Sequence, residues 1–280
     1  MGYLPDLLEN DLNLFHALDT LKFKKEFHAE HPTFFDADGL MVFTGAQGEG
    51  KTLSAVKYAC EIMENYPKCK LVTNLMIKDY PIVTLSDFIR DWYGIEAFSN
   101  FDKLSEYSQF KIITDYTLLN RVFAFNNADD LIRYHNGEEG VLYLIDEIQL
   151  YFNSLESKNI NMDVMVEISQ QRKQRKNIIC TSQIFGRMAK PLREQFNVVV
   201  KCHNFGNILQ RNWFIRQEDI LPDTDMMNPK GIVHNSWWFF HNRIDYERYD
   251  TFYKIQKTRF IDEEQKVGDI YDYYTLGGNQ

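Results

Sequence analysis

Residues 45–52 read Gly45-Ala46-Gln47-Gly48-Glu49-Gly50-Lys51-Thr52, which satisfies G-x-x-x-x-G-K-[ST] at every fixed position. Glycines at this spacing let backbone N–H groups wrap a phosphate chain. The lysine ammonium reaches the β- and γ-phosphates and the threonine hydroxyl ligates Mg²⁺. The pattern predicts a cradle for ATP formed by Gly45, Gln47, Gly48, Glu49, Gly50, Lys51, Thr52 and Leu53. A second group of reactive side chains, Asp146-Glu147, follows the apolar run Val141–Ile145. A buried strand that ends in two acids delivers carboxylates to a site without solvating the sheet. Asp146 is expected to hold Mg²⁺ together with Thr52, and Glu147 to orient and deprotonate the attacking water. Gln183 closes the apolar run 177–182, where its amide can contact both the γ-phosphate and that water.

These residues need elements to hold them. The run 39–44 before the glycine-rich loop predicts a short buried strand, and 53–63 after it predicts a helix whose orphan N–H groups and partial positive charge face the phosphates. Further strands are expected at 70–75, 140–147, 177–182, 195–202 and 210–216. Helical pieces are expected at 85–93, 101–107, 117–126, 128–134 and 162–173. Pro81 and Gly94 act as breaks. Short β-branched runs alternating with helices predict an α/β fold, a mainly parallel sheet covered on both faces with a helical insertion over about 79–136. Ligands in such sheets bind at the carboxyl ends of the strands, where the loop, the two acids and Gln183 all fall. The chain is expected to divide into an N-terminal helix and linker (1–38), a core (39–222) and a C-terminal extension packing on it (223–280). Leu14, Phe15, Leu18 and Leu21 recur at helical spacing in the first part, which suits packing either on a neighbouring subunit or on the chain's own core.

Composition bounds the rest. The chain has 280 residues, 44% of them hydrophobic and 25% charged, with a formal net charge of -9. A molecule this acidic is not a general nucleic-acid coat, so contact with DNA must come from a local patch. Arg172 through Arg193, with Lys173, Arg175, Lys176, Arg187 and Lys190, contains no acid. It can supply an arginine finger, with Arg172, Arg175, Arg187 and Arg193 all open as candidates. It can equally supply phosphate contacts to DNA, or be an exposed helix end whose cations suit the helix dipole. Asp129-Asp130 and Glu138-Glu139 read as caps and solvated charge. Trp237-Trp238-Phe239-Phe240 reads as a core strand or subunit contact sooner than as a base-stacking surface. Four cysteines without C-x-x-C spacing suggest a reducing compartment. No signal peptide or membrane-length apolar run is read.

The order G-x-x-x-x-G-K-T, Val72-Thr73-Asn74-Leu75, Leu144-Ile145-Asp146-Glu147-Ile148-Gln149, a basic helix end and Ile178–Gln183 resembles the zonular occludens toxin (Zot)-like phage ATPases of the FtsK–HerA P-loop superfamily. Tyr249-Asp250-Thr251 is similar to that family's C-terminal segment. The resemblance covers about Leu40 to Thr251, apart from a poorly matched stretch at Pro81–Asn126. It implies an ATPase that assembles or packages phage, or pumps DNA through a ring of identical subunits, with a phage portal or capsid protein as a further partner. Lys51, Thr52, Asp146, Glu147 and Gln183 match the superfamily's catalytic positions. Filamentous-phage assembly members carry a membrane span after the ATPase domain. The absence of one here favours a genome-packaging motor, in the cytoplasm of an infected bacterial host or on the virion or procapsid. A phage assembly or secretion ATPase that moves virion components, or a nucleotide-dependent scaffold, remain the alternatives.

Overall fold

A computed structural model describes residues 14–153, 161–221 and 230–250, with side chains from residue 21 onward. Thr251 and the charged end of the tail lie outside the described residues, as do the side chains of Leu14, Phe15 and Leu18. The elements follow in the order α1 (Leu14–Glu30), β1 (Leu40–Thr44), α2 (Lys51–Asn65), β2 (Lys70–Thr73), α3 (Leu85–Tyr93), α4 (Ile95–Ser99), α5 (Glu106–Leu119), β3 (Val122–Ala124), α6 (Asp130–Arg133), β4 (Val141–Ile145), α7 (Met162–Gln170), β5 (Lys176–Ser182), α8 (Lys190–Arg193), β6 (Val198–Phe205), β7 (Leu209–Ile220), β8 (Gly231–Phe240) and α9 (Arg243–Glu247).

The eight strands form one sheet in the order β3-β2-β4-β5-β1-β6-β7-β8. The pairings from β3 to β6 are parallel, and β7 and β8 are added antiparallel at one edge. The predicted α/β architecture is therefore present. Strand β5 lies between β1, which leads into the glycine-rich loop, and β4, which leads into the acids. Alternation along the strands builds two cores. Leu40 and Val42 of β1 join Tyr143, Ile178, Phe123 and Phe88 on one face. Met41 and Phe43 join Leu142, Ile179 and the α2 residues Ala55, Val56 and Met63 on the other. Burial on both faces is why the parallel strands read as near-continuous apolar runs.

Two local expectations are corrected. The stretch 117–126 is not helical throughout: α5 ends at Leu119, and Val122–Ala124 adds a parallel strand beside β2. The apolar residues Phe123 and Phe125 are buried because they belong to this sheet edge. Asp130 is not solvated charge. It is fully buried, accepts hydrogen bonds from the Asn126 and Asn127 N–H groups at 2.6 and 3.1 Å, and pairs with Arg133 at 2.8 Å. It closes the turn after β3. Asp129 does flank the helix start, and Glu139 pairs with exposed Lys68. At the N-terminus Leu21 and Phe23 are 63% and 66% exposed.

A buried ion pair fixes the start of β5. Lys176 lies in the core, where its ammonium donates to the Leu131 carbonyl at 2.7 Å and to the Glu167 carboxylate. Burial pulls this ammonium below the ordinary lysine range, against the opposing pull of Glu167. Removing one partner of such a pair strands the other charge. Lys176→Met is therefore expected to destabilise the fold by about 3 kcal/mol, with Lys176→Met/Glu167→Leu regaining most of that loss. Urea unfolding of the two variants checks it. Equal stability of single and double variants would show that the pair's burial is not what matters.

Candidate nucleotide-binding site

The glycine-rich loop leaves β1 and enters α2 at its N-terminus. Gly50 takes the N-cap position with φ 74°, a left-handed conformation that favours glycine. A Cβ there would also stand 2.1 Å from Gln210 Oε1, so any larger residue would have to displace the Gln210 amide that donates to Glu49. Lys51 is nearly buried and its ammonium donates to the Ala46 carbonyl at 3.1 Å, which folds the side chain over the loop. The outer side of the loop is held by the antiparallel edge of the sheet. Gln210 donates to the Glu49 carbonyl at 3.0 Å, and Asn204 donates from its side chain to the Gly48 carbonyl at 3.0 Å. The Asn204 backbone N–H and His203 Nδ1 both meet the Glu49 carboxylate, at 2.8 and 2.9 Å.

The acids converge on this loop from the end of β4. Thr52 Oγ1 and Thr181 Oγ1 both donate to Asp146 Oδ1, at 2.9 and 2.7 Å. Burial pushes the Asp146 carboxyl above the usual carboxylate range. The two hydroxyl donors and the Lys51 charge oppose that rise, and neighbouring Glu147 adds to it. A cation brought to Asp146 would offset the cost of burying its charge. Hard oxygen donors from Thr52 and Asp146, side by side, suit Mg²⁺.

Glu147 has φ 52° and ψ 55°, a left-handed backbone in a non-glycine residue, of the kind that collects at functional sites. Three contacts hold it. Its N–H donates to Thr181 Oγ1 at 2.9 Å, Gln183 donates to its Oε1 at 3.2 Å, and Gln149 donates to its Oε2. The turn thus swings the Glu147 side chain away from the strand and across to the end of β5. Register explains the meeting: Ile145 pairs with Cys180, so the next residues, Asp146 and Thr181, stand level. The structure places Gly45, Gln47, Gly48, Glu49, Gly50, Lys51, Thr52 and Leu53 in the loop and helix start, with Asp146 bonded to Thr52, and Glu147 next in the chain bonded to Gln183.

Arg172 and Arg175 are not brought there. They precede β5, whose seven residues separate them from Gln183 by roughly 20 Å of extended chain. Arg175 stacks its guanidinium 3.8 Å from the Phe34 ring centroid. The basic stretch is therefore divided by β5. Arg187 and Lys190 stand exposed in the connection from β5 to β6, and Lys190 pairs with Glu194 just beyond the stretch.

Several contributors carry no local sequence signal of their own. Asn74, just past β2, accepts from the Asp146 N–H at 2.8 Å and donates to the Asp146 carbonyl at 2.9 Å, which fixes the turn that carries both acids. Its place in Thr73-Asn74-Leu75, a segment already singled out, is the available hint. Thr181, His203, Asn204 and Gln210 sit in ordinary strand sequence. Tyr249 bridges to Ile77, and burial, with the Asp146 charge as a lesser cause, pushes its phenol far up.

A G-x-x-x-x-G-K-T loop between β1 and α2, a mostly parallel sheet, and an acid pair one strand removed define a P-loop NTPase fold. No family model matches the sequence, and no curated protein matches it. Among solved structures the chain is similar to the N-terminal domain of zonular occludens toxin from Neisseria meningitidis, at 15% identity and a TM-score of 0.45, over 76% of this chain and 98% of that one. It is similar also to the genome packaging NTPase B204 from Sulfolobus turreted icosahedral virus 2, at 14% identity and a TM-score of 0.39, over 60% and 76% of the two chains. The flagellar accessory protein FlaH from Methanocaldococcus jannaschii matches at 13% identity and a TM-score of 0.37, over 73% and 86%. These are likenesses of chain path, and the class is defined by the loop, the strand order and the acids themselves. Among the described residues no helix is long and apolar enough to cross a membrane.

Proposed function

We propose that this chain hydrolyses ATP and couples the hydrolysis to movement of DNA, as a genome-packaging motor built from a ring of identical subunits. The observation that carries the catalytic part is the Thr52–Asp146 hydrogen bond, which ties the loop to the end of β4, with Glu147 next in the chain and held by Gln183 and Gln149. In this reading Lys51 leaves the Ala46 carbonyl and offsets charge on the β- and γ-phosphates. Glu147 takes a proton from the attacking water, and Gln183 orients that water against the γ-phosphate. Mg²⁺, held by Thr52 and Asp146, supplies charge neutralisation for the phosphates when bound. An arginine from a neighbouring subunit completes the site. Arg187 lies in the connection from β5 to β6, whereas Arg172 and Arg175 precede β5 and would serve only a neighbour that meets that end of the strand.

ATP turnover measured with and without DNA over a salt series tests the coupling. DNA is expected to stimulate turnover, with a stimulation that falls steeply as salt rises. Turnover indifferent to DNA would favour a motor that moves protein components. Particle mass with an ATP analogue tests the ring, and a strict monomer with and without DNA would remove it.

A further inference from the structure

The antiparallel edge of the sheet has two faces. One packs on α2 through Phe214 and Trp237, which meet Tyr58. The other carries Lys201, His203 and Phe205 of β6, Arg211 and Trp213 of β7, and Trp238 of β8. Register sets Lys201 beside Trp213, His203 beside Arg211, and Arg211 beside Trp238. Phe205 and Trp238 remain 43% and 44% exposed, with rings nearly parallel at 6° and centroids 6.3 Å apart. The Arg211 guanidinium lies 4.1 Å from the Trp238 ring centroid and 4.6 Å from that of Trp213. Lys201 stands over Trp213 at 6.0 Å. Among the described residues neither cation forms an ion pair with a carboxylate, and Arg211 Nε has no hydrogen-bond partner.

Flat rings interleaved with unneutralised cations, on a chain of net charge -9, call for a partner that offers both planar faces and anions. A double helix buries the faces of its bases in the stack. A single strand presents them, and base stacking on aromatic side chains with phosphates taken by Lys and Arg is how such strands are held without sequence preference. We infer that the open face of β6–β8 binds single-stranded nucleic acid, with bases stacked on Phe205, Trp213 and Trp238 and the backbone held by Arg211 and Lys201. The face shares a border with the phosphate loop, since His203 and Asn204 both meet Glu49. Strand occupancy and loop geometry are thereby linked through one carboxylate. Such a platform presupposes the DNA reading above and narrows it to a single strand.

The test uses the full chain. Fluorescence anisotropy of a labelled oligo-dT of about 20 nucleotides is compared with that of a duplex of equal length, and a fluorescent ATP analogue is titrated in the same preparation. Oligo-dT is expected to bind tighter than duplex. Trp238→Ala is expected to weaken it by about 10-fold or more, with Trp238→Phe restoring most of the loss. Arg211→Gln is expected to lower the salt slope of binding by about 0.7. Equal affinity for duplex and oligo-dT, or Trp238→Ala binding as wild type does, overturns the inference. So does a particle whose mass doubles without nucleic acid and reverts in Trp238→Ala, because a second copy then occupies the face. Analogue binding without oligo-dT binding overturns it too and leaves the ATPase reading intact. Oligo-dT binding with these sensitivities but no analogue binding upholds the platform and removes the ATPase reading instead.

Discussion

Glu147→Gln is expected to lower ATP turnover by about 10²- to 10⁴-fold, the range for loss of a general base, while nucleotide binding persists. The substitution keeps the length and volume of the side chain. It also keeps one carbonyl oxygen to accept a hydrogen bond from Gln183 or Gln149, so the turn that carries Asp146 has little reason to move. What disappears is the ability to take a proton from water. Phosphate release under saturating ATP, beside titration of a fluorescent analogue, separates the two effects. Turnover equal to that of the wild type would deny Glu147 any catalytic role and leave a nucleotide-dependent scaffold as the better reading.

Lys51→Ala should behave differently. Its ammonium is the cation that the loop itself supplies to the phosphates, and it is stored against the Ala46 carbonyl at 3.1 Å. Removing a positioned donor aimed at developing charge costs about 10²- to 10³-fold in turnover. Because the same ammonium also meets the ground-state triphosphate, analogue affinity should fall as well. The two variants thus split cleanly: one loses turnover alone, the other loses turnover and binding. Triphosphate bound as tightly by Lys51→Ala as by the wild type would mean that the nucleotide sits elsewhere.

Much of this site is legible in the sequence because its chemistry is local. The loop is a run of consecutive residues, and the acids follow their strand directly, so spacing alone places them at strand ends. What spacing misses is whatever depends on distant pairing. Glu49 is satisfied by Asn204, 155 positions away, and Asn74 holds Asp146 across 72. No periodicity reports such contacts. Strand β3 is hidden for another reason. Three residues bounded by Asn120 and Asn126 are too few to show alternation, and the helix before them runs up to Leu119. Asp130 is misread because a pair of adjacent acids says nothing about the Arg133 guanidinium and the two N–H groups that enclose one of them. The basic stretch misleads through its continuity: β5 runs through it and carries Arg172 and Arg175 away from Gln183.

The left-handed turn at Glu147 sets what a laboratory selection would find there. That backbone conformation suits glycine or asparagine better than glutamate, so a library sorted for heat resistance alone should drift towards those residues. A library sorted for turnover should hold the acid despite its poorer fit. Divergence between the two winners at a single position would measure how much folding stability this chain forgoes to keep a carboxylate aimed at water.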